Sequence, residues 1–97
     1  MITPCVAPGH EHVFHQYTIR VPGDGRDALA EHLRQKGVGT MIYYPVPVHK
    51  QKVYVDMGYR DHLPASEQAS REVLSLPVHP ALTTADLDKI VEGVNFR

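Results

Sequence analysis

The sequence is poor in several features that commonly identify a protein's class. It has no tryptophan and only one cysteine, Cys5, so it cannot form a disulfide within the chain. No apolar run approaches the ~20 residues that a membrane-spanning helix needs. The net charge of -1 offers no basic field for nucleic acid. We therefore expect neither a membrane nor a nucleic-acid partner. Because the first residues lack a secretory pattern, we also expect a cytoplasmic location.

Nucleotide hydrolysis and metal binding are poorly supported as well. The glycines fit neither the G-x-G-x-x-G nor the G-x-x-x-x-G-K-[ST] phosphate-binding pattern. Among the seven histidines, the stretch "HEHVFH" places His10, His12 and His15 close together. On a strand, His10 and His12 would point to one face and His15 to the other. We predict no metal site, since histidines at the surface or the edge of the core are the simpler interpretation.

The first half of the chain predicts a strand, a helix and a second strand. Period-2 spacing in "HVFHQYTIRV" puts four apolar residues on one buried face: Val13, Tyr17, Ile19 and Val21. Asp24 is placed to cap a helix over residues 26–36, and Gly37 is suited to end that helix. The stretch "VGTMIYY", residues 38–44, is rich in β-branched and aromatic residues and predicts the second strand.

The second half predicts a helix, a strand and a last helix. Pro64 opens a helix in which Glu67 can pair with Arg71 one turn later. "VLSLPVHP" predicts a third strand, which Pro77 shortens or confines to a sheet edge. Thr83 caps "TADLDKIVEGV", a helix whose apolar stripe consists of Leu87, Ile90, Val91 and Val94.

These elements, in the order β-α-β-α-β-α, predict an α+β fold. Each of the three helices has one apolar face that needs a flat surface to cover. A small, mostly antiparallel sheet with the helices packed on one face provides that surface. A chain of 97 residues is large enough for one modest core. We therefore predict a two-layer sandwich and a single domain, residues 1–97.

The stretch "MIYYPVPVHKQKVY", residues 41–54, is the strongest candidate for a binding surface. Tyr43 and Tyr44 are adjacent at the end of a predicted strand, so their rings should leave opposite faces, one toward the core and one free to bind. His49 follows on a segment that two prolines stiffen. A sugar or phosphate would find rings, hydrogen-bonding groups and cations here. The alternative is a packed loop whose tyrosines fill the core.

These residues also carry a family likeness. "GVGTMIYYPVPVHKQKVY" is similar to the G-[IV]-G-T-x-I-[HY]-Y-P-x-P-x-H-x-Q-P-x-Y stretch of the DegT/DnrJ/StrS family of sugar aminotransferases. "EHVFHQYTIRVP" resembles the strand that opens the C-terminal small domain of that family, and "ASREVLSLPVHPALTTADLDKIVEGV" resembles its end. The likeness covers nearly the whole chain in order. Lys52 departs from the usual proline, which leaves the path of the loop open.

The resemblance implies part of a dimeric enzyme of fold type I that uses pyridoxal phosphate. Such enzymes move an amino group from glutamate or glutamine to a nucleotide-linked keto sugar. The Schiff-base lysine, the acid that pairs with the pyridine nitrogen and the phosphate-binding residues belong to a large domain that this sequence does not contain. The lysines of this chain match none of the family's cofactor motif. We therefore expect no cofactor bound by this chain alone, no catalytic residue and no activity in isolation.

In the family, the loop after the second strand lies at the cleft between the small and large domains. The resemblance therefore makes Tyr43, Tyr44 and His49 the candidate substrate-binding residues. The implied partner is the large cofactor-binding domain, or a second copy that covers the exposed interdomain face. An alternative function is a free-standing binding, regulatory or oligomerisation module derived from such a domain. A methionine at the domain's natural edge is compatible with that alternative.

Overall fold

Two short antiparallel strands form the centre of the computed structural model, which describes residues 1–95. Strand β1, Tyr17–Arg20, pairs with strand β2, Val73–Leu76, in the register that sets Ile19 opposite Leu74. Single bridges widen this sheet on both sides. Ile2 pairs with Arg20 of β1, and Met41 pairs with Ser75 of β2. The N-terminal arm and the segment around residue 41 therefore flank the two strands.

Four α-helices complete the described part of the chain: α1, Arg26–Gln35; α2, Lys52–Asp56; α3, Pro64–Glu72; and α4, Thr84–Asn95. A single 3-10 turn, Val48–Lys50, precedes α2. Helices with a small antiparallel sheet confirm the predicted α+β class. Within residues 1–95, no helix is both long and apolar enough to cross a membrane.

The core lies where β1, β2, α1 and α4 meet. Its members are apolar side chains that are at most 9 % exposed: Ile19, Val21, Leu29, Leu33, Val38, Leu74, Ile90 and Val94. Most of these residues lie on the two strands and on the inward faces of α1 and α4, as the period-2 and helical patterns predicted, while Val21 and Val38 lie just after β1 and α1. Hydrophobic burial of this set is the main stabilising contribution to the fold.

Helix α4 begins as the sequence predicted. The Thr83 backbone N–H donates to the Asp86 carboxylate at 2.9 Å, and the Asp86 N–H donates to the Thr83 hydroxyl at 3.1 Å. This reciprocal pair satisfies two donors that the first turn of a helix leaves free. The apolar stripe is only half covered, because Ile90 and Val94 are buried while Leu87 and Val91 are exposed. Half of the predicted stripe is therefore surface.

The ends of α1 differ in how well they were predicted. Gly37 has φ +79°, the left-handed conformation expected of a residue that ends a helix. The N-cap, by contrast, is Gly25, which provides no side-chain hydrogen bond. The prediction that Asp24 caps the helix was therefore wrong, because Asp24 precedes the position from which a side chain caps this first turn.

The predicted first strand begins later than expected. Residues 11–14 are outside the sheet, Phe14 has a positive φ of 47°, and Val13 is 89 % exposed. A left-handed residue interrupts the period-2 alternation, so Val13 does not share the buried face of Ile19. Within β1, the alternation predicts the buried face correctly.

The predicted second strand, residues 38–44, is reduced to the single bridge at Met41. Pro45 follows closely and cannot donate to a ladder. The connection after it, which we expected to be an extended loop, instead contains the 3-10 turn and α2. The predicted third strand ends at Leu76, immediately before Pro77, as expected.

Candidate functional site

An open groove of about 630 Å³ lies between the segment that follows Met41 and the outer face of α3. We call it the tyrosine groove. The chain from residue 43 to residue 61 supplies one side, including Tyr43, Tyr44, His49, Tyr54 and Tyr59. The region of α3 supplies the other side with small or apolar residues: Leu63, Ser66, Ala69, Ser70 and Val73. Four tyrosines and one histidine thus line a groove whose opposite wall is mostly apolar.

The two neighbouring tyrosines do not divide between core and surface. Tyr43 is 39 % exposed and Tyr44 is 70 % exposed, and both line the tyrosine groove. Their ring centroids are 5.5 Å apart in an edge-to-face arrangement. The prediction of opposite faces was wrong because residues 43 and 44 are not in a strand, so period-2 alternation does not apply to them.

A second pair of tyrosines comes from the α2 segment. The rings of Tyr54 and Tyr59 also meet edge to face, with centroids 6.1 Å apart. Neither residue is among the candidate site residues predicted from the sequence. Tyr54 had a signal, because it matches the last tyrosine of the family stretch, whereas Tyr59 had none. Helix α2 is only five residues long, too short for a hydrophobic period to predict it.

Hydrogen bonds along the backbone hold the loop in shape. The Lys50 N–H donates to the Pro47 carbonyl at 2.9 Å, closing the 3-10 turn. The Gln51 side-chain amide donates to the Val46 carbonyl at 3.2 Å. Pro47 is extended, with φ −60° and ψ 151°, as its ring requires. Hydrogen bonds within residues 46–51 therefore fix the backbone of the loop from which the side chains project.

His49 is the most buried of the three candidate residues. Its side chain is only 9 % exposed, and Nε2 lies 3.4 Å from Oε2 of Glu67 in α3. The ring lines the groove at the same time. The three residues singled out from the sequence, Tyr43, Tyr44 and His49, therefore lie along one groove, while their role in binding remains a prediction.

Glu67 is a buried carboxylate that is surrounded by four nitrogen atoms, from Lys50, Leu63, His62 and His49. Lys50 Nζ lies 2.8 Å from Oε1, and the Leu63 N–H donates to Oε2 at 2.8 Å. His62 Nδ1 lies 3.0 Å from the same Oε2, which His49 also approaches. The hydrogen bond from Lys50 is the main cause that lowers the pKa of Glu67 to about 2, with help from the Leu63 N–H and His49. Glu67 is therefore ionised at neutral pH.

The sequence had suggested a different role for this residue, a surface pair with Arg71 one turn later. The structure turns Glu67 toward the loop instead, and its partners lie on residues 49, 50, 62 and 63. Helical spacing alone could not predict this, because Lys50 is far from Glu67 in sequence and lies on another element. No local pattern marks such a long-range contact.

Pyridoxal phosphate needs an amine for the imine and an acid beside the ring nitrogen. Within residues 1–95, no lysine lines the tyrosine groove. Lys50 is engaged with Glu67, and Lys52 pairs with Asp56 at 2.5 Å on the surface of α2. The residues that the structure describes therefore do not form a complete site for this cofactor. In the same part of the chain, no group of three or more His, Cys, Asp or Glu residues is placed to bind a metal ion.

Comparison with known proteins gives consistent results. The family model of the DegT/DnrJ/EryC1/StrS aminotransferase family matches residues 2–95. A pleiotropic regulatory protein of Geobacillus stearothermophilus is 44 % identical over 95 residues, which cover 97 % of this chain and 25 % of that protein. The dTDP-3-amino-3,6-dideoxy-alpha-D-galactopyranose transaminase of Aneurinibacillus thermoaerophilus is 37 % identical over 92 residues, which cover 95 % of this chain and 24 % of the enzyme.

A solved structure agrees with the sequence relatives. The crystal structure of S. venezuelae DesV, in complex with a ketimine intermediate, matches with a TM-score of 0.87 and 35 % identity. The match covers 96 % of this chain and 25 % of DesV. This chain thus spans about a quarter of the length of the proteins it resembles. Because the family model matches nearly every residue, the chain belongs to the DegT/DnrJ/EryC1/StrS aminotransferase family.

Proposed function

We propose that this chain, residues 1–97, is the small domain of a pyridoxal-phosphate-dependent aminotransferase. The whole enzyme would transfer an amino group from glutamate or glutamine to a nucleotide-linked keto sugar. The observation that carries the proposal is the tyrosine groove, which brings Tyr43, Tyr44 and His49 to one surface in a chain of this family. The groove is open to solvent, which supports its assignment as one half of a composite site.

The groove's own chemistry suits a sugar better than a phosphate. Tyrosine rings offer apolar faces for the C–H surface of a sugar ring and hydroxyls for its polar groups. Tyr44 is the most exposed ring and the best placed to stack. Asp61 also lines the groove, and its carboxylate would repel a phosphate group while accepting hydrogen bonds from sugar hydroxyls. We therefore assign the groove to the sugar part of the ligand.

The relatives extend well beyond the matched region, which is about a quarter of their length, and this supports a partner domain outside the sequence described. Pyridoxal phosphate, when bound by that partner, would supply the electron sink for amino transfer. The residues of this chain would bind and orient the sugar and exclude water on their side of the cleft. Alone, the chain would lack the imine-forming lysine and would not catalyse the transfer.

The experiment that tests this function measures binding to the sugar half of the ligand. A ¹⁵N-labelled sample would be titrated with dTDP-glucose and UDP-N-acetylglucosamine, and separately with glutamate and pyridoxal phosphate. We expect saturable shifts at residues 43–49 with the nucleotide sugars only. Shifts confined to the α4 face, or none at millimolar ligand, would contradict the proposal. A Leu87→Ala variant, altered outside the groove, serves as the control.

A second candidate is a free-standing regulatory or oligomerisation module. Similarity to a protein named as a pleiotropic regulator favours it, as does apolar surface on α4 at Leu87 and Val91. Exposed apolar surface of this kind favours self-association. Light scattering would distinguish the candidates. The module predicts a concentration-dependent dimer that Val91→Glu abolishes, whereas a monomer at all concentrations argues against it.

A further inference from the structure

Glu67 connects both ends of the segment that carries two of the groove's tyrosines. On one end it contacts His49 and Lys50, and on the other it contacts His62 and Leu63. The chain between these ends contains α2 and places Tyr54 and Tyr59 in the tyrosine groove. One carboxylate therefore closes the base of this segment against α3.

We propose that Glu67 is a positioning residue that fixes the base of the α2 segment and sets the His49 ring with Nε2 toward α3, leaving Nδ1 available to a ligand in the tyrosine groove. The part that concerns the ligand rests on the function proposed above. The part that concerns the ring and the segment stands on the contacts of Glu67 alone.

The chemistry of the contact determines which ring nitrogen carries hydrogen. An ionised carboxylate can only accept hydrogen bonds, so a hydrogen bond between Glu67 and Nε2 of His49 requires the hydrogen to be on Nε2. In a neutral imidazole the other nitrogen, Nδ1, then has a free lone pair. The lowered pKa of Glu67 supports this assignment, because it keeps the carboxylate ionised at neutral pH. His49 would thus accept a hydrogen bond from a sugar hydroxyl.

Access to Nδ1 is consistent with the packing. Within residues 1–95, the buried side-chain nitrogen that lacks a partner belongs to His32, not to His49. The Nδ1 atom of His49 is not in that group, and the His49 ring lines the tyrosine groove. Glu67 contacts the ring at Nε2, and the same ring forms part of the groove wall.

A simpler role for Glu67 would be to stabilise α3 alone. Glu67 accepts a hydrogen bond from the backbone N–H of Leu63, which is the N-cap residue of that helix. Glu72 provides a matched comparison, because it is also a buried carboxylate of α3 and is bonded by Arg20 and Gln68. Glu72 lies at the opposite end of the helix, and its partners Arg20 and Gln68 do not line the groove, whereas His49, a partner of Glu67, does. If Glu67→Gln changes the His49 signals and Glu72→Gln does not, Glu67 positions the ring in addition to stabilising α3.

The test is the protonation pattern of the His49 ring, measured by long-range ¹H–¹⁵N correlation on the labelled chain at pH 8 without ligand. A His49→Asn sample assigns the signals. We expect the tautomer with hydrogen on Nε2 to dominate. A dominant tautomer with hydrogen on Nδ1 would overturn the proposal. This measurement uses the unaltered protein, so it does not depend on any variant folding.

The Glu67→Gln and Glu72→Gln variants test whether Glu67 positions the His49 ring and the α2 segment. In Glu67→Gln we expect His49 to become a mixture of tautomers and the amides of residues 49–59 to shift. In Glu72→Gln the same signals should stay in place. A folded Glu67→Gln variant with unchanged His49 and α2 signals would overturn the positioning role. Since no sugar is present, these results are independent of the ligand titration, and either proposal can fail while the other stands.

Discussion

Gly93 in α4 lies against Leu33 in α1 with no room for a side chain. A β-carbon at position 93 would lie 2.8 Å from Leu33 Cδ2, and Leu33 is fully buried. Replacing Gly93 with alanine would gain up to about 1 kcal/mol of helix propensity. Overpacking a well-packed core costs about 1–3 kcal/mol. We expect Gly93→Ala to lower the free energy of unfolding by about 1 kcal/mol on balance, measured by urea denaturation.

Gly39 supplies the control for that measurement. A β-carbon there would meet nothing within 4 Å, and its φ is not positive. Gly39→Ala should leave stability unchanged or raise it by about 0.4–1 kcal/mol through the unfolded state. Equal effects at positions 39 and 93 would show that α1 and α4 do not approach each other as closely as the structure describes.

The three longer helices, α1, α3 and α4, were predictable because their signals are local. Thr83 and Asp86 form a capping box three residues apart, and Pro64 opens α3 at the first helical position. The prediction of a second strand was wrong because β propensity alone does not provide a neighbouring strand to pair with. Within residues 38–44, only Met41 pairs with β2, and Pro45 prevents a longer ladder. Local composition could not distinguish a strand from a segment that touches the sheet once.

The site was predictable only in part, and for a related reason. Tyr43, Tyr44 and His49 lie within one short stretch whose family likeness was visible. Glu67 does not line the groove itself but contacts His49 and Lys50, which are distant from it in sequence. Tyr59 reaches it only because α2 turns the chain back. Contacts of this kind depend on tertiary packing, and no hydrophobic period or motif encodes them.

Lys52 occupies the first position of α2, where proline is well tolerated. Gln51 before it is extended, with φ −61° and ψ 141°, which suits a residue that precedes proline. Lys52→Pro would rigidify the unfolded chain, a gain of about 0.4–1 kcal/mol. It would remove the surface pair with Asp56, worth about 0.3–0.5 kcal/mol. We expect unchanged or slightly raised stability in thermal unfolding.

The matched control for this change is Val53→Pro, one residue further into the helix. Position 53 is also exposed. We expect Val53→Pro to have no stabilising effect, because proline is pre-organised for position N1 specifically. A marked loss of stability in Lys52→Pro would contradict the placement of α2.

Glu67 predicts how the groove responds to acid. Its pKa falls from 4.5 to about 2 in the folded chain, so its contribution to stability is complete above pH 4.5. The contribution is lost as the pH falls from 4.5 to about 2, because the unfolded state then binds more protons than the folded state. We expect the difference in unfolding free energy between wild type and Glu67→Gln to shrink steadily from pH 5 to about pH 2.

Other carboxyls must be separated from this effect. Arg34 and Gln35 hold the pKa of the exposed Glu31 at about 2, and hydrogen bonds also lower the pKa values of Glu72 and Asp86. A Glu31→Gln variant, altered on the surface of α1, should change acid stability less because solvent screens that pair. A difference between wild type and Glu67→Gln that stays constant across the range would rule out Glu67 as the titrating group.

The absence of a groove lysine within residues 1–95 predicts the behaviour of the isolated chain toward pyridoxal phosphate. We expect no saturable imine absorbance that borohydride traps at one residue, because the available lysines are paired or lie outside the groove. Lys50→Met provides the check, since Lys50 is the lysine nearest in sequence to His49. A single-site imine that Lys50→Met removes would assign cofactor chemistry to this chain and contradict the composite-site proposal.

A substitution at Tyr44 can test ligand binding with little effect on folding. Its ring is 70 % exposed and contacts Tyr43 only at an edge, so Tyr44→Ala should cost at most about 1 kcal/mol of stability. Loss of a stacking ring worth about 0.5–1.5 kcal/mol should weaken the binding of dTDP-glucose roughly two- to tenfold. Tyr44→Phe keeps the ring and should retain most of the affinity. If Tyr44→Ala binds as tightly as Leu87→Ala, the sugar does not stack in the tyrosine groove.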